Sequence, residues 1–249
     1  MKTINPSELS PMQVQMILQT AVSPRPIALA STIDKNGNVN LSPFSFFNLF
    51  SSNPPILIFS PARRVRDNST KDTLHNVLEV PEVVIGNVNF NMVQQVSLSS
   101  TEYETGVDEF IKSGLTKKPS ELVKPPLIAE SPVNFECKVI EVKPLGNEGG
   151  AGNLVICEVL KIHIREEFLN EEGNLDQKKL DLVSRLGGNW YGRTSAETLF
   201  EVPKPLVTKG IGFDQLPSEI RNSKIFTGND LGMLANVEQL PEGNFTADE

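Results

Sequence analysis

The chain has 249 residues, 39% hydrophobic and 22% charged, with a formal net charge of −8. This length can bury a sizeable core; the mix excludes a disordered or fibrous chain, and the acidic balance excludes a protein that tracks duplex nucleic acid on a broad basic face. Two cysteines, Cys137 and Cys157, and two histidines, His75 and His163, are too few for a four-thiolate zinc site or a disulfide framework. In chain order, Ser10 and Pro11 read as the N-cap and first residue of an opening helix within Ser7–Val22. Pro26–Ile33, the turn cluster Asp34–Asn38 and Val39–Ser42 read as a hairpin. Pro54-Pro55 opens a buried strand, Ile56–Ser60, and Val83–Val88 is another. Between them a helix starts near Asn68-Ser69-Thr70, runs to Leu78 and stops before Pro81. Residues 91–130 mix helical pieces with polar loops, an excursion from the sheet.

Strand character returns at Val133–Val139, where apolar and polar residues alternate with period two. After the flexible loop Asn147–Gly152, the stretch Leu154–Ile164 reads as a strand apolar on both faces, as in a closed barrel or at a subunit interface. Beyond Leu206 the sequence breaks into short polar pieces with a helix expected over Asn229–Val237. Ile211, Phe213, Leu216, Ile225 and Phe226 are too apolar for a free linker, so this tail is expected to pack on the barrel or on a second subunit. The acidic end, residues 246–249, is expected to be mobile. No run reaches the ~18–20 apolar residues that span a bilayer, and Met1-Lys2-Thr3 leads into polar sequence, so a cytoplasmic protein with no membrane or nucleic-acid partner is expected.

The usual catalytic motifs are absent: there is no G-x-G-x-x-G after a strand, no G-x-x-x-x-G-K-[ST], no G-x-S-x-G and no H-E-x-x-H. Chemistry carried by a cofactor fits that gap, because it asks the protein for positioning and electrostatics. Three segments offer binding chemistry. Arg63, Arg64, Arg66 and Lys71 crowd the start of the second helix, where free N–H groups, Lys71 and a hydroxyl of Ser69, Thr70 or Thr73 suit a phosphate, with Ser60 nearby. The alternative there is a capped helix with a solvated basic loop. Leu41–Phe50 interleaves Phe44, Phe46, Phe47 and Phe50 with Ser45 and Asn48, a mixture that as pattern alone reads first as core and also suits a planar ring with polar edges. Ser184–Arg193 concentrates Arg185, paired glycines, Trp190 and Tyr191, as either a ligand loop or a glycine-rich turn stapled to the core. His163 reads as a core or interface histidine and the cysteines as buried apolar residues.

In this order the segments resemble the flavin reductase-like family of FMN-binding split barrels, in the branch of flavoredoxin and the reductase components of flavin-dependent monooxygenases. The resemblance runs from about Ser23 to Tyr191. It is carried by Ser23-Pro24-Arg25-Pro26-Ile27-Ala28, Asn40–Asn48, Asn53-Pro54-Pro55, Lys71–Asn76, Asp108-Glu109-Phe110, Glu130–Cys137 and Arg185-Leu186-Gly187-Gly188. Ser42 stands where the family more often has alanine, a small-for-small change.

The resemblance implies a mainly β fold with peripheral helices, a six-stranded antiparallel split barrel that forms a homodimer with one FMN per subunit near the interface. It implies a flavin-binding domain over residues 1–200 and a C-terminal extension over 201–249 without assigned chemistry. Ser45, Phe46, Phe47 and Asn48 would edge the flavin ring, and Lys71, Asp72, Thr73 and Ser60 would hold the phosphate. Arg185 and Tyr191 would approach the same flavin, and His163 matches a position near the nicotinamide in some relatives. The implied activity is an NAD(P)H-dependent flavin reductase passing hydride to flavin N5, with Arg185 stabilising the reduced ring and a flavin-dependent monooxygenase as a partner. A flavoredoxin-like electron carrier is the competing reading. Nothing in the sequence selects NADH over NADPH.

Overall fold

The computed structural model describes residues 1–240; the expectation for residues 246–249 lies outside them. The chain divides into two compact units, Met1–Leu199 and the segment from Phe200 on. In the first, helix α1 (Pro11–Ala21) begins where Ser10 and Gln13 close a reciprocal capping box, and none of its residues is buried. Strands β1 (Ala28–Ile33) and β2 (Val39–Phe44) form the expected hairpin. Its turn is held by the Asp34 carboxylate, which accepts 2.8 Å bonds from the N–H groups of Asn36 and Asn38, while Gly37 takes φ +92°. A second hairpin follows, β3 (Phe47–Ser52) with β4 (Pro55–Phe59). Helix α2 (Asp72–Glu79) leads to β5 (Glu82–Asn87). The excursion holds α3 (Val93–Leu98), α4 (Glu109–Ser113) and the short pair β6 (Lys117–Lys118) and β7 (Leu127–Ile128). The long strands β8 (Val133–Pro144) and β9 (Asn153–Ile164), helix α5 (Gln177–Leu180) and the small hairpin β10 (Val183–Arg185) with β11 (Tyr191–Arg193) complete the unit.

The main sheet is antiparallel in the order β2-β1-β5-β8-β9-β4-β3. Its two edge strands, β2 and β3, are joined by only Ser45 and Phe46. Three Cα steps of about 3.8 Å cannot separate the edges by more than about 11 Å, so the sheet must curl until they meet. This is the split barrel, with seven strands where six were expected. The difference arises because the run from Val39 to Ser52 bends at Ser45-Phe46 and leaves the β1 side of the sheet for the β4 side.

Alternation along each strand sorts the core. Ala28, Ala30, Val83, Ile85, Phe59, Cys137, Val155 and Cys157 fill the barrel interior. Leu29, Leu41 and Val84 point the other way, into a second cluster with Val96 of α3, Phe110 of α4 and Ile128 of β7. Strands β1 and β5 are thus covered on both faces, which explains their unbroken apolar runs; each fully buried large side chain contributes roughly 1.5–3 kcal/mol. Strand β9 departs from the expectation of two covered faces. Val155 and Cys157 are buried in the barrel, but Leu160, Ile162 and Ile164 are exposed, Ile162 by 54%, because nothing within its own unit covers that side.

Two buried carboxylates tie the excursion to the sheet. Glu109 accepts a 2.9 Å bond from the Leu41 N–H, capping the open edge of β2. Glu136 of β8, with no exposed surface, accepts from the N–H groups of Glu121, Leu122 and Val123 at 2.9, 2.6 and 3.0 Å. The second unit has its own small core of Leu216, Leu231 and Ala235. Within it, helix α6 spans Ser218–Arg221, and α7 spans Gly228–Leu234 behind a Thr227/Asp230 capping box. No helix of the described residues is long and apolar enough to cross a membrane.

Candidate functional site

The basic run after β4 is divided by its partners. Arg66 pairs with Asp67 and Glu102, and Arg64 pairs with Glu102 while donating to the Ser69 hydroxyl and the Thr70 carbonyl. These arginines fold the loop. Lys71 differs: it makes no ion pair among the described residues, and its ammonium donates a 3.2 Å bond to the Ser42 hydroxyl and lies 5.2 Å from the centre of the Phe44 ring. Burial, reinforced by Arg64, pushes the Lys71 ammonium below its ordinary pKa. Lys71 is also the N-cap of α2, where no side chain caps the helix, so the first N–H groups of α2 have no side-chain acceptor. Thr73 is fully buried and its hydroxyl accepts a 2.8 Å bond from the Asn40 amide. Around this end a small cavity is walled by Ser42, Lys71, Asp72, Thr73, Ser99 and Ser100.

Ser100 also lines a second cavity of about 280 Å³, with Phe44, Ser45, Arg185, Asn189 and Tyr191. The two cavities therefore adjoin, and together they approach the lower end of the ~300–1,000 Å³ that ligand sites occupy. The Arg185 guanidinium stacks 4.5 Å over the Tyr191 ring and donates a 2.7 Å bond to the Gly188 carbonyl. Like Lys71, it makes no ion pair among the described residues. One end of the combined site thus offers a half-buried ammonium, hydroxyls and a helix start, while the other offers an aromatic ring, a guanidinium and amide edges.

Of the residues singled out in the sequence, Ser45, Lys71, Asp72, Thr73, Arg185 and Tyr191 line this pair of cavities. Phe46, Phe47, Asn48 and Ser60 line neither, because the chain crosses to the β4 side of the sheet at Ser45-Phe46. Phe47 packs on the barrel core, and Phe46 is 40% exposed. Asn48 turns its side-chain oxygen back to the Leu49 N–H at 2.8 Å, and the N–H of buried Ser60 donates to the Phe46 carbonyl at 2.8 Å. His163 is placed apart from Arg185: it borders another cavity with Lys118 and Arg165, and its Nε2 lies 2.5 Å from the Glu136 carboxylate. Burial would push the Glu136 carboxyl up, but the three loop N–H groups and His163 outweigh it and hold the pKa below the ordinary range.

Ser42 is more than a small-for-small change, since it receives the Lys71 ammonium. Sequence reasoning missed Asn40, Asn189 and the hydroxyl run Ser97-Leu98-Ser99-Ser100-Thr101. That run, inside a segment read only as an excursion, was the available signal.

Residues 21–181 match the model of the flavin reductase like domain. The uncharacterized protein BH2278 of Halalkalibacterium halodurans is 38% identical over 208 residues, covering 83% of this chain and 98% of that one. Nitrilotriacetate monooxygenase component B from Bacillus cereus superposes with a TM-score of 0.73 at 28% identity, over 82% of this chain and 98% of that one. The 2-nitrobenzoate 2-nitroreductase NbaA of Pseudomonas fluorescens superposes with a TM-score of 0.70 at 27% identity, over 84% and 100%. With the curled seven-strand sheet and the two-ended site, these matches make the chain a member of the flavin reductase-like family of split barrels.

Proposed function

We propose that the protein is an FMN-dependent oxidoreductase that uses NAD(P)H as reductant. One observation carries the reading: a half-buried ammonium that makes no ion pair among the described residues, Lys71, stands with hydroxyls at a helix start, in a cavity that Glu102 and Glu109 also border, and shares Ser100 with a cavity walled by Arg185 and Tyr191. That donor set fits a ligand with a phosphate at one end and a planar ring at the other. Bound FMN would supply the redox chemistry, accepting hydride from NAD(P)H at N5 and passing the electrons on.

The residues of the chain hold and polarise. Lys71, Thr73 and the first N–H groups of α2 carry the phosphate's charge, with Asp72 beside them. Arg185 sets positive charge against the ring edge, where reduction gathers negative charge. Ser45, Asn189 and Tyr191 orient the ring. The exposed Leu49 and Phe50 of β3 and Leu160, Ile162 and Ile164 of β9 support a homodimer that buries these faces. Similarity to a protein named as a monooxygenase component supports a flavin-dependent monooxygenase as recipient of the electrons.

The test is the oxidation of NADH and NADPH by the purified protein with and without added FMN. Catalytic oxidation that rises with FMN is the expected result. Bound flavin that bleaches once without turnover would point instead to an electron carrier, and failure to bind flavin at all would end the reading.

A further inference from the structure

Arg25 lies in neither cavity, yet it is a buried guanidinium, 7% exposed, with no ion pair among the described residues. A buried charge without an acid must find dipoles, and Arg25 finds them on three separate elements. Its Nη1 donates to the Gln19 and Val22 carbonyls at the end of α1, the latter at 2.8 Å, where the helix dipole is negative. Its Nη2 donates to the Leu186 carbonyl at 3.0 Å, and its Nε points at the Ser45 hydroxyl at 3.5 Å. The main chain repeats the link: Arg25 N–H donates to the Arg185 carbonyl at 3.0 Å and Arg185 N–H returns a 2.9 Å bond.

The hairpin pinned in this way carries every wall of the ring cavity that comes from beyond residue 100: Arg185, Asn189 and Tyr191. Its loop also has no slack against α1. A Cβ added at Gly187 would stand 3.2 Å from the Thr20 Cα and closer still to the Thr20 side chain.

We propose that Arg25 is a positioning residue that clamps the β10–β11 hairpin over the ring end of the site, fixing where Arg185 and Tyr191 stand. The inference rests on the flavin reading of the two cavities. A lysine in its place keeps the charge but has a single ammonium, which cannot serve the α1 carbonyls and Leu186 together. Losing one charge-assisted bond across the clamp raises hairpin opening roughly tenfold.

The experiment compares wild type, Arg25→Lys, Gly187→Ala and Lys71→Met by amide hydrogen exchange and by equilibrium binding of FMN and riboflavin. In Arg25→Lys, exchange over residues 183–193 rises about tenfold while the barrel strands keep their protection, and FMN and riboflavin weaken equally, because Arg185 and Tyr191 are no longer held in place. Lys71→Met weakens FMN alone. Gly187→Ala pushes the loop off α1 with Arg25 intact and reproduces both effects, so it carries the test if Arg25→Lys fails to fold. Unchanged hairpin exchange, or a protection loss spread evenly over the barrel, overturns the clamp. If wild type bound neither flavin while exchange still rose only in the hairpin, the flavin reading would fall and the clamp would stand.

Discussion

Replacing Lys71 by methionine keeps the reach of the alkyl stem and removes the terminal ammonium with its charge. Lys71 makes no ion pair among the described residues and is the cation that reaches Ser42 in the cavity at the α2 start, so its loss falls directly on an anion held there. A hydrogen bond to a charged group is worth about 1.5–3 kcal/mol, which converts to roughly ten- to a hundredfold weaker FMN binding. Riboflavin has the same ring and no phosphate, and its affinity should stay within a factor of about two, since the ammonium contacts only Ser42 and the Phe44 face. Without ligand the sign reverses. Burial pushes the Lys71 pKa below the ordinary 10.5, so the charged lysine costs stability at all pH values below its folded pKa, and this cost fades as pH rises to 10.5. Lys71→Met should therefore be as stable as wild type or more stable near neutral pH, with the gap closing in alkali. FMN affinity of the wild type should fall as the lysine deprotonates below 10.5, and the variant's should not follow that change. Fluorescence titration of both flavins, with thermal melts across pH, gives every quantity. Equal losses for FMN and riboflavin, or an unchanged FMN affinity, would refute the phosphate assignment.

Glu136→Gln replaces an oxygen pair that receives three loop N–H groups and His163 with an amide that cannot accept them all, so it should cost about 2–3 kcal/mol in a urea melt. Because the folded pKa of Glu136 is depressed, its stabilisation is present above the unfolded value near 4.5 and is lost as pH falls from there; the glutamine variant should lack that acid limb, and a parallel pH profile would contradict the assignment. Burial raises the Cys137 thiol to about 12 and lifts Cys157 as well, so neither should react with a disulfide reagent in native protein near neutral pH, while both should react once unfolded. A fast native thiol would mean that the barrel interior opens. Ile162→Asp places a charge on the exposed face of β9 and should leave a monomer by light scattering; a persistent dimer would move the interface elsewhere.

Local signals were enough for the β1–β2 hairpin, for α2 and for β8, because turn residues, caps and period-two alternation act over a few neighbours. The seventh strand escaped because Phe44–Phe47 is mostly aromatic and carries Ser45 as its only turn-forming residue, and the bend there is imposed by curling the sheet. The two-sided apolar pattern of β9 was real, but sequence cannot distinguish a face covered by its own chain from one left open. Lys71 and Arg64 looked alike in the sequence. They diverge because Glu102, 38 residues beyond Arg64, takes one and not the other. Arg25 stood in a quoted motif without a role, since its hydrogen bond to Leu186 spans 161 positions.

The charge distribution has a physical logic that links these observations. A chain with net charge −8 repels a phosphate ligand at long range, so recognition depends on cations kept free at close quarters. Arg66 and Arg64 are neutralised by Glu102 and Asp67 and hold the loop in shape. Lys71 and Arg185 make no ion pair among the described residues, although Glu102 and Glu109 border the Lys71 cavity, and each is steadied by an aromatic face, Phe44 for one and Tyr191 for the other. An aromatic face steadies a cation without quenching its field, whereas a carboxylate would cancel the charge that the ligand needs. Arg25 extends the pattern one layer back: as a buried cation it lowers its cost on helix and loop carbonyls, and so fixes Arg185 without bringing an anion near the ring cavity.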